Sequence, residues 1–438
     1  MYLTRKIDNE LLLWAKSIQR KPLVLRGARQ VGKSTAVRHL ASQFKYFVEI
    51  NFDENVDYQK LFQGNLSVEN ICEQISILTN TPIVVGETLI FFDEIQACLP
   101  AIQTLRYFYE QKPDLHVIAA GSLLEFALAE LPSFGVGRVR FMYVYPFSFI
   151  EFLQAHNENQ LLKLLDKNVN NQAIPELIHE KLKTYLKKFL VIGGMPEAVN
   201  TYINSKNMLE VQRVLDDLIL SIQADFAKYK NRVSALRIKE VFDSVVMQVG
   251  RKFTYTYPNS TLNNVQIKEA LVLLEMAGLI YSVTHSACNG IPLGAEINSK
   301  FKKILLFDTG IFQRILGLNI SELMLEDNFQ IVNKGNIAEL YVGLELLKNQ
   351  TCYTKIDLYY WQRDAKNSQA EIDYVIQKNE NILPIEVKAG TKGAMQSMHI
   401  FMTEKRSTLG IRVSLENFGK LDNIQIMPLY AINQIINK

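Results

Sequence analysis

An apolar stretch near the N-terminus, Leu23-Val24-Leu25, runs into Gly27-Ala28-Arg29-Gln30-Val31-Gly32-Lys33-Ser34, after which Thr35 to Ala41 reads as a helix. No other feature restricts the fold as tightly. G-x-x-x-x-G-K-[ST] between a strand and a helix is a phosphate cradle. Its glycines let main-chain amides close around an anion, and the helix start adds its unpaired N–H groups. Gly27, Ala28, Arg29, Gln30, Val31, Gly32, Lys33, Ser34 and Thr35 are therefore expected to bind a nucleoside triphosphate, with Lys33 on the β- and γ-phosphates and Ser34 on Mg²⁺.

A second element fits the first. Leu89-Ile90-Phe91-Phe92 reads as a buried strand that delivers Asp93-Glu94 at its end. Behind a phosphate loop, Asp93 is expected to hold the Mg²⁺ shell and Glu94 to polarise the attacking water. Ser122 follows the strand Val117 to Ala120 and either reads the γ-phosphate or orients the water, or else caps a helix starting near Leu123. Arg138 and Arg140, just before the strand Phe141 to Val144, are either solvated surface charges or a transition-state cation, Arg138 ahead of Arg140, acting in its own chain or in a neighbouring subunit. With Phe47 to Phe52, these strands alternate with helical stretches across residues 1–155. Such alternation implies an α/β fold, a parallel sheet with helices on both faces and ligands at the carboxyl ends of its strands.

Composition sets outer limits. The 438 residues are 48% hydrophobic and 21% charged, with a net charge of +3, which gives no global basic field for nucleic acid. The start of the chain has no signal-peptide core, and no apolar run reaches membrane-spanning length. The four cysteines are scattered with no Cys-x-x-Cys pair, so a reduced, cytoplasmic protein is expected. Residues 156–325 read mainly helical. The helix Val265 to Leu279 followed by the strands Leu279 to Val283 and Ile304 to Phe307 has the order of a winged helix-turn-helix. Lys228, Lys230, Arg232, Arg237, Lys239, Arg251, Lys252 and Lys268, interleaved with Phe253, Tyr255 and Tyr257, make this region locally basic. It is either a double-stranded DNA contact or a packing module with solvated lysines.

Residues 326–438 carry a helix, Ile331 to Leu347, and three strands, Leu358 to Gln362, Glu371 to Gln377 and Ile382 to Lys388. Glu386 and Lys388, two apart on a strand, share a face. If the last two strands pair, Asp373 and Glu386 share a Mg²⁺ and Lys388 activates water. With Glu339 on the helix, the set Glu339, Asp373, Glu386 and Lys388 resembles the PD-(D/E)XK nuclease core, and Gln396 stands where that family often has a supporting polar residue. An edge hairpin with alternating charge is the competing reading.

Taken together, Gly27 to Ser34, Phe91-Phe92-Asp93-Glu94, Ala120-Gly121-Ser122, Gly137-Arg138 and Tyr145-Pro146-Phe147-Ser148-Phe149-Ile150-Glu151-Phe152 resemble the AAA+-type P-loop ATPases of bacteria and archaea that carry a C-terminal domain of unknown function. Gly193-Gly194-Met195-Pro196-Glu197, Ala277-Gly278-Leu279-Ile280 and Phe307-Asp308-Thr309-Gly310 resemble that second domain. The resemblance implies ATP as nucleotide, and no Asn-Lys-x-Asp guanine-reading element argues otherwise. It also implies three parts: an ATPase domain at 1–155, a helical and winged-helix region at 156–325, and a restriction-nuclease-like α/β domain at 326–438. It further implies a tendency to form a ring or dimer. Three functions stay open: an ATPase coupled to a DNA-acting or partner-binding C-terminal domain, a signalling or scaffold switch whose nuclease-like fold is catalytically inert, and a nucleotide-binding protein with negligible turnover, against which Glu94 argues.

Overall fold

The computed structural model describes residues 2–64, 67–131, 137–168, 171–229, 233–255, 262–319, 334–364, 370–390 and 395–437. The chain divides into two compact units, Met1–Tyr145 with Thr351–Lys355, and Pro146–Gln350 with Ile356–Lys438.

The first unit is a five-stranded parallel sheet in the order β2-β3-β4-β1-β5. The strands are β1 (Leu23–Arg26), β2 (Tyr46–Asn51), β3 (Thr88–Asp93), β4 (His116–Ala120) and β5 (Arg140–Tyr143). Every residue of β3 and β4 is buried, so both faces of the sheet are covered, as continuous apolar runs require. The covering helices include α1 (Lys6–Lys16), α2 (Lys33–Ala41), α3 (Val68–Thr79), α4 (Leu99–Gln111) and α5 (Leu124–Glu130). In α1 the buried residues Ile7, Leu11 and Trp14 repeat at helical spacing. Phe52, Phe62, Phe92 and Phe108 interlock in the core, with successive ring centroids 5.6, 5.6 and 5.8 Å apart. A returning segment covers the β5 edge, where the Tyr143 amide donates to Cys352 O at 2.7 Å.

The second unit opens with helices: α6 (Phe149–Ala155), α7 (Asn159–Lys167), α8 (Glu176–Ile192), α9 (Pro196–Ser205), α10 (Met208–Asp225), α11 (Ala235–Gln248) and α12 (Asn264–Met276). Two capping boxes, Ser148 with Glu151 and Asn263 with Gln266, start α6 and α12. The strands β6 (Ile280–Ser286) and β7 (Ile297–Leu306) come next, then α13 (Thr309–Ile315), α14 (Lys334–Lys348), β8 (Leu358–Gln362), β9 (Glu371–Lys378), β10 (Asn381–Val387), α15 (Gln396–Lys405), β11 (Gly410–Ser414), β12 (Gly419–Leu421), β13 (Ile424–Pro428) and α16 (Asn433–Asn437). All eight strands join one mixed sheet in the order β12-β13-β11-β10-β9-β8-β6-β7. The order α11, α12, β6, β7 follows the expected helix-helix-strand-strand pattern. The β6–β7 hairpin is not a free wing, however, because β6 pairs in parallel with β8.

Several of the sequence segments that carried the resemblance meet inside this unit. Asp308, fully buried, accepts from the Gly194 amide at 2.6 Å and the Ile311 amide at 3.0 Å. The Phe147 amide donates to Gly194 O at 2.7 Å, and Lys348 Nζ donates to Phe147 O at 2.9 Å. A Cβ on Gly194 would overlap the Phe147 backbone, so this glycine serves a close main-chain approach. Of the other expectations, Lys230, Arg232, Tyr257 and the start of the helix expected from Ile331 lie outside the described residues.

Candidate functional site

The ends of β1, β3 and β4 bring the nucleotide-site residues together. After β1 the chain turns through Gly27, whose φ of 137° and whose approach to Val144 O leave no room for a Cβ. Gln30 (φ 61°) and Gly32 (φ 95°) complete the left-handed bends before α2 begins at Lys33. Lys33 Nζ donates to Gly27 O at 2.9 Å and Ala28 O at 2.8 Å, folding the loop around its own ammonium. Burial lowers the Lys33 pKa to about 8 against the opposing pull of Glu94 and Asp93.

Ser34 Oγ donates to Asp93 Oδ1 at 3.0 Å, and the Glu94 amide donates to the same oxygen at 3.0 Å. Asp93 is buried, and burial raises its pKa. A hydroxyl and a carboxylate meeting beside a phosphate loop are the hard oxygen donors Mg²⁺ takes, so these residues fit that ion. Glu94 has a left-handed backbone, φ 49°, that turns its side chain across the sheet end. Its Oε2 accepts from Gln96 Nε2 at 2.6 Å and from the Ser122 amide and hydroxyl at 3.3 Å each. Ser122 thus bonds to Glu94 and is not the cap of α5, whose N-cap is Leu123. Gln96 had no signal in the sequence. Its place depends on Gly121, where a Cβ would overlap Gln96 Oε1. Arg5 also went unforeseen. It is buried, with Nη1 donating to Val31 O at 3.1 Å and Nη2 to Tyr145 O at 2.7 Å.

Arg138 is not at this site. Its Nε pairs with Glu110 of α4 at the protein surface. Arg140 opens β5 in register with Leu23, the first residue of β1, whereas the phosphate loop follows Arg26 at the other end. The length of β1, about 10 Å at ~3.3 Å per residue, separates the two edges. Arg138 therefore stands at the edge away from the phosphate loop of its own chain. Arg140 instead lies over the Tyr353 ring, 5.8 Å from its centroid.

Residues 19–153 match the family model described as an AAA domain. The first unit is a P-loop ATPase fold. Residues 183–322 and 334–432 match two domains of unknown function, DUF8612 and DUF4143. Among solved structures, the Walker-type ATPase PABY2304 of Pyrococcus abyssi shows 16% identity and a TM-score of 0.47, over 72% of this chain and 96% of that one. The Aeropyrum pernix ORC1 protein in complex with DNA shows 12% identity and a TM-score of 0.25, over 74% and 93%. C. elegans PCH-2 shows 15% identity and a TM-score of 0.23, over 62% and 66%. These likenesses are too distant to bear on what the chain does. No curated protein matches it.

In the second unit, Asp373 on β9 and Glu386 on β10 lie on paired strands, and Asp373 Oδ2 accepts from the Val387 amide at 2.8 Å. Lys388 Nζ lies 2.7 Å from Glu386 Oε1, while Glu386 Oε2 is buried with no hydrogen-bond partner among the described residues. Burial and the charge of Asp373 push Glu386 up to about 7. A residue with no sequence signal sits among these carboxylates. Lys303 of β7 places Nζ 2.8 Å from Glu339 Oε1, 2.5 Å from Glu371 Oε1 and 3.5 Å from Asp373 Oδ1. Burial pushes Glu339 up to about 7 against the pull of Lys303. Among the described residues, the group of three ligand atoms within 4.8 Å of one another is Glu176, His179 and Glu180, not Glu339, Asp373 and Glu386. Both ring nitrogens of His179 are engaged, by the Tyr430 hydroxyl at 2.7 Å and Leu415 O at 3.2 Å. As arranged, Glu339, Asp373 and Glu386 do not bring three ligand atoms that close together. Gln396 stands first in α15.

The basic region is partly neutralised. Lys228 pairs with Asp225 at 3.2 Å and Lys239 with Asp243 at 2.9 Å. Lys252 lies over the Phe301 ring, 3.6 Å from its centroid. Among the described residues, no helix is long and apolar enough to cross a membrane.

Proposed function

We propose that this chain is a Mg²⁺-dependent ATPase whose nucleotide state controls what its C-terminal part binds. The reading is carried by Ser34 meeting Asp93 beside the phosphate loop while Glu94 is held by Gln96 and Ser122. Residues 27–35 wrap the polyphosphate of ATP with main-chain amides, and Lys33 exchanges the carbonyls of Gly27 and Ala28 for β- and γ-phosphate oxygens. Ser34 and Asp93 hold Mg²⁺, which when bound neutralises charge between those phosphates. Glu94, freed from Gln96, takes a proton from water as the water oxygen bonds to the γ-phosphorus. The bond to the β-phosphate oxygen breaks, leaving ADP and phosphate. Ser122 holds Glu94 or the γ-phosphate at that moment. Arg138 contributes only across subunits of a homo-oligomer, since it stands at the opposite sheet edge.

The division into an ATPase domain at 1–155, a helical and winged-helix region at 156–325 and a PD-(D/E)XK-like domain at 326–438 is part of the same reading. It is supported by three family models that stop and start near 153–183 and 322–334. A cytoplasmic setting is supported by four unpaired cysteines. The partner is double-stranded DNA, reached through the lysine-rich region, or another protein.

The deciding experiment measures ATP turnover with and without duplex DNA in Mg²⁺ and in Mn²⁺, with DNA integrity scored in the same tube. Mg²⁺-dependent turnover that disappears in Lys33→Ala is expected. Stimulation by duplex that salt suppresses identifies DNA as the partner, and its absence directs the search to proteins. A folded chain that takes up no adenine nucleotide with Mg²⁺ by calorimetry sinks the proposal.

A further inference from the structure

A PD-(D/E)XK-like set of carboxylates ordinarily gathers around a divalent cation, and here a lysine reaches into it from outside the expected set. Lys303 belongs to β7, in the region matched by one domain of unknown function. Its partners Glu339 on α14 and Glu371 and Asp373 on β9 belong to the region matched by the other. Its side chain is 2% exposed, and its ammonium is 2.8, 2.5 and 3.5 Å from one oxygen of each carboxylate. A buried ammonium survives only when its charge is matched, and a buried carboxylate likewise. Burial alone would lower the Lys303 pKa, yet Glu339, Asp373 and Glu371 outweigh it and hold the group above its ordinary value. Lys388 binds Glu386 in the same way, at 2.7 Å. Every carboxylate of the set that has a cationic neighbour therefore has an ammonium as that neighbour.

We propose that the Lys303 ammonium occupies the cation position of this cluster, so that the C-terminal site is metal-independent and serves as an ionic lock joining β7 to α14 and β9. The lock accounts for how the β6–β7 hairpin is integrated into the large sheet: backbone pairing with β8 holds β6, and the Lys303 side chain fastens β7 to elements it does not pair with. No phosphodiester is cut there, because the groups that would carry Mg²⁺ are spent on lysine. The inference does not depend on the nucleotide reading.

The test counts Mn²⁺ ions bound by the full-length, nucleotide-free chain, using the electron paramagnetic resonance signal of free Mn²⁺. Asp93→Asn is introduced to remove the divalent-holding carboxylate of the phosphate-loop site. With Lys303 present, no uptake sensitive to Asp373→Asn or Glu386→Gln is expected. Uptake that persists in both variants belongs elsewhere on the chain and leaves the cluster without an ion, as proposed. In Asp93→Asn with Lys303→Met, the released carboxylates of Glu339, Glu371 and Asp373 take up about one equivalent, and Mn²⁺ then raises the melting temperature. One equivalent bound with Lys303 present and lost in Asp373→Asn or Glu386→Gln overturns the proposal. So does a folded Lys303→Met chain, judged by circular dichroism, that binds none. If Lys303→Met does not fold, the count with Lys303 present decides alone.

Discussion

Lys33 spends the nucleotide-free state bonded to the carbonyls of its own loop, with a pKa near the physiological range. Two outcomes follow at this scale. Only the charged lysine attracts phosphate, so Mg-ATP affinity holds below about pH 8. Above that it falls, approaching about tenfold per pH unit as the free protein loses the proton. Calorimetric titration across pH 7 to 10 reads this directly, and a flat profile would separate Lys33 from phosphate binding. Gln96 restrains Glu94 by a charge-assisted bond worth about 1.5–3 kcal/mol. Gln96→Leu is expected to raise basal turnover about tenfold, with the KM for ATP nearly unchanged. A fall in kcat would make Gln96 a positioning partner that the reaction needs.

At the scale of elements, two glycines hold close approaches, one to backbone and one to a side chain. Gly194→Ala would drive a methyl into the Phe147 backbone and unseat the turn that Asp308 holds. A loss of about 2–4 kcal/mol in denaturant unfolding is expected, in the range of strained or overpacked substitutions. Gly121→Ala displaces Gln96 instead, so its kinetics should resemble those of Gln96→Leu while stability changes little. The parallel sheet was legible because β1, β3 and β4 are apolar runs buried on both faces, and because the Gly and Lys spacing of the phosphate loop tolerates few alternatives. The short strands β11, β12 and β13 went unread: they lie after α15 with little periodic pattern and gain their order from the sheet edge they join. Lys303 was hidden for a related reason. Beside Lys302 it reads as a solvated pair, and only the β7 register turns one of the two inward. That Arg138 stands away from the phosphate loop of its own chain was legible too. A residue preceding a parallel strand lies at the edge opposite the ligand, which the order of elements already implies. The left-handed turn at Glu94 has no compositional marker.

At the scale of the whole molecule, nucleotide uptake should leave a map. With Mg-ATP, hydrogen exchange is expected to slow at residues 27–41 and 93–96, where orphan amides gain an anion or a better-fixed neighbour. Coupling predicts that exchange also changes beyond Tyr145, in residues 147–151 and 193–197, which the Phe147–Gly194 and Lys348–Phe147 bonds tie together. A response confined to the first unit would leave the ATPase uncoupled. The path of the chain carries one more consequence. The polypeptide leaves the first unit at Tyr145, returns for Thr351–Lys355, and leaves again. The amide of Tyr143 and the carboxylate of Glu10 find partners in that brief return, Cys352 O and the Tyr353 hydroxyl. A P-loop unit excised at residue 145 would therefore begin life with a raw margin, prone to stick to its own copies. To move such a module intact means carrying along a five-residue keepsake from far downstream.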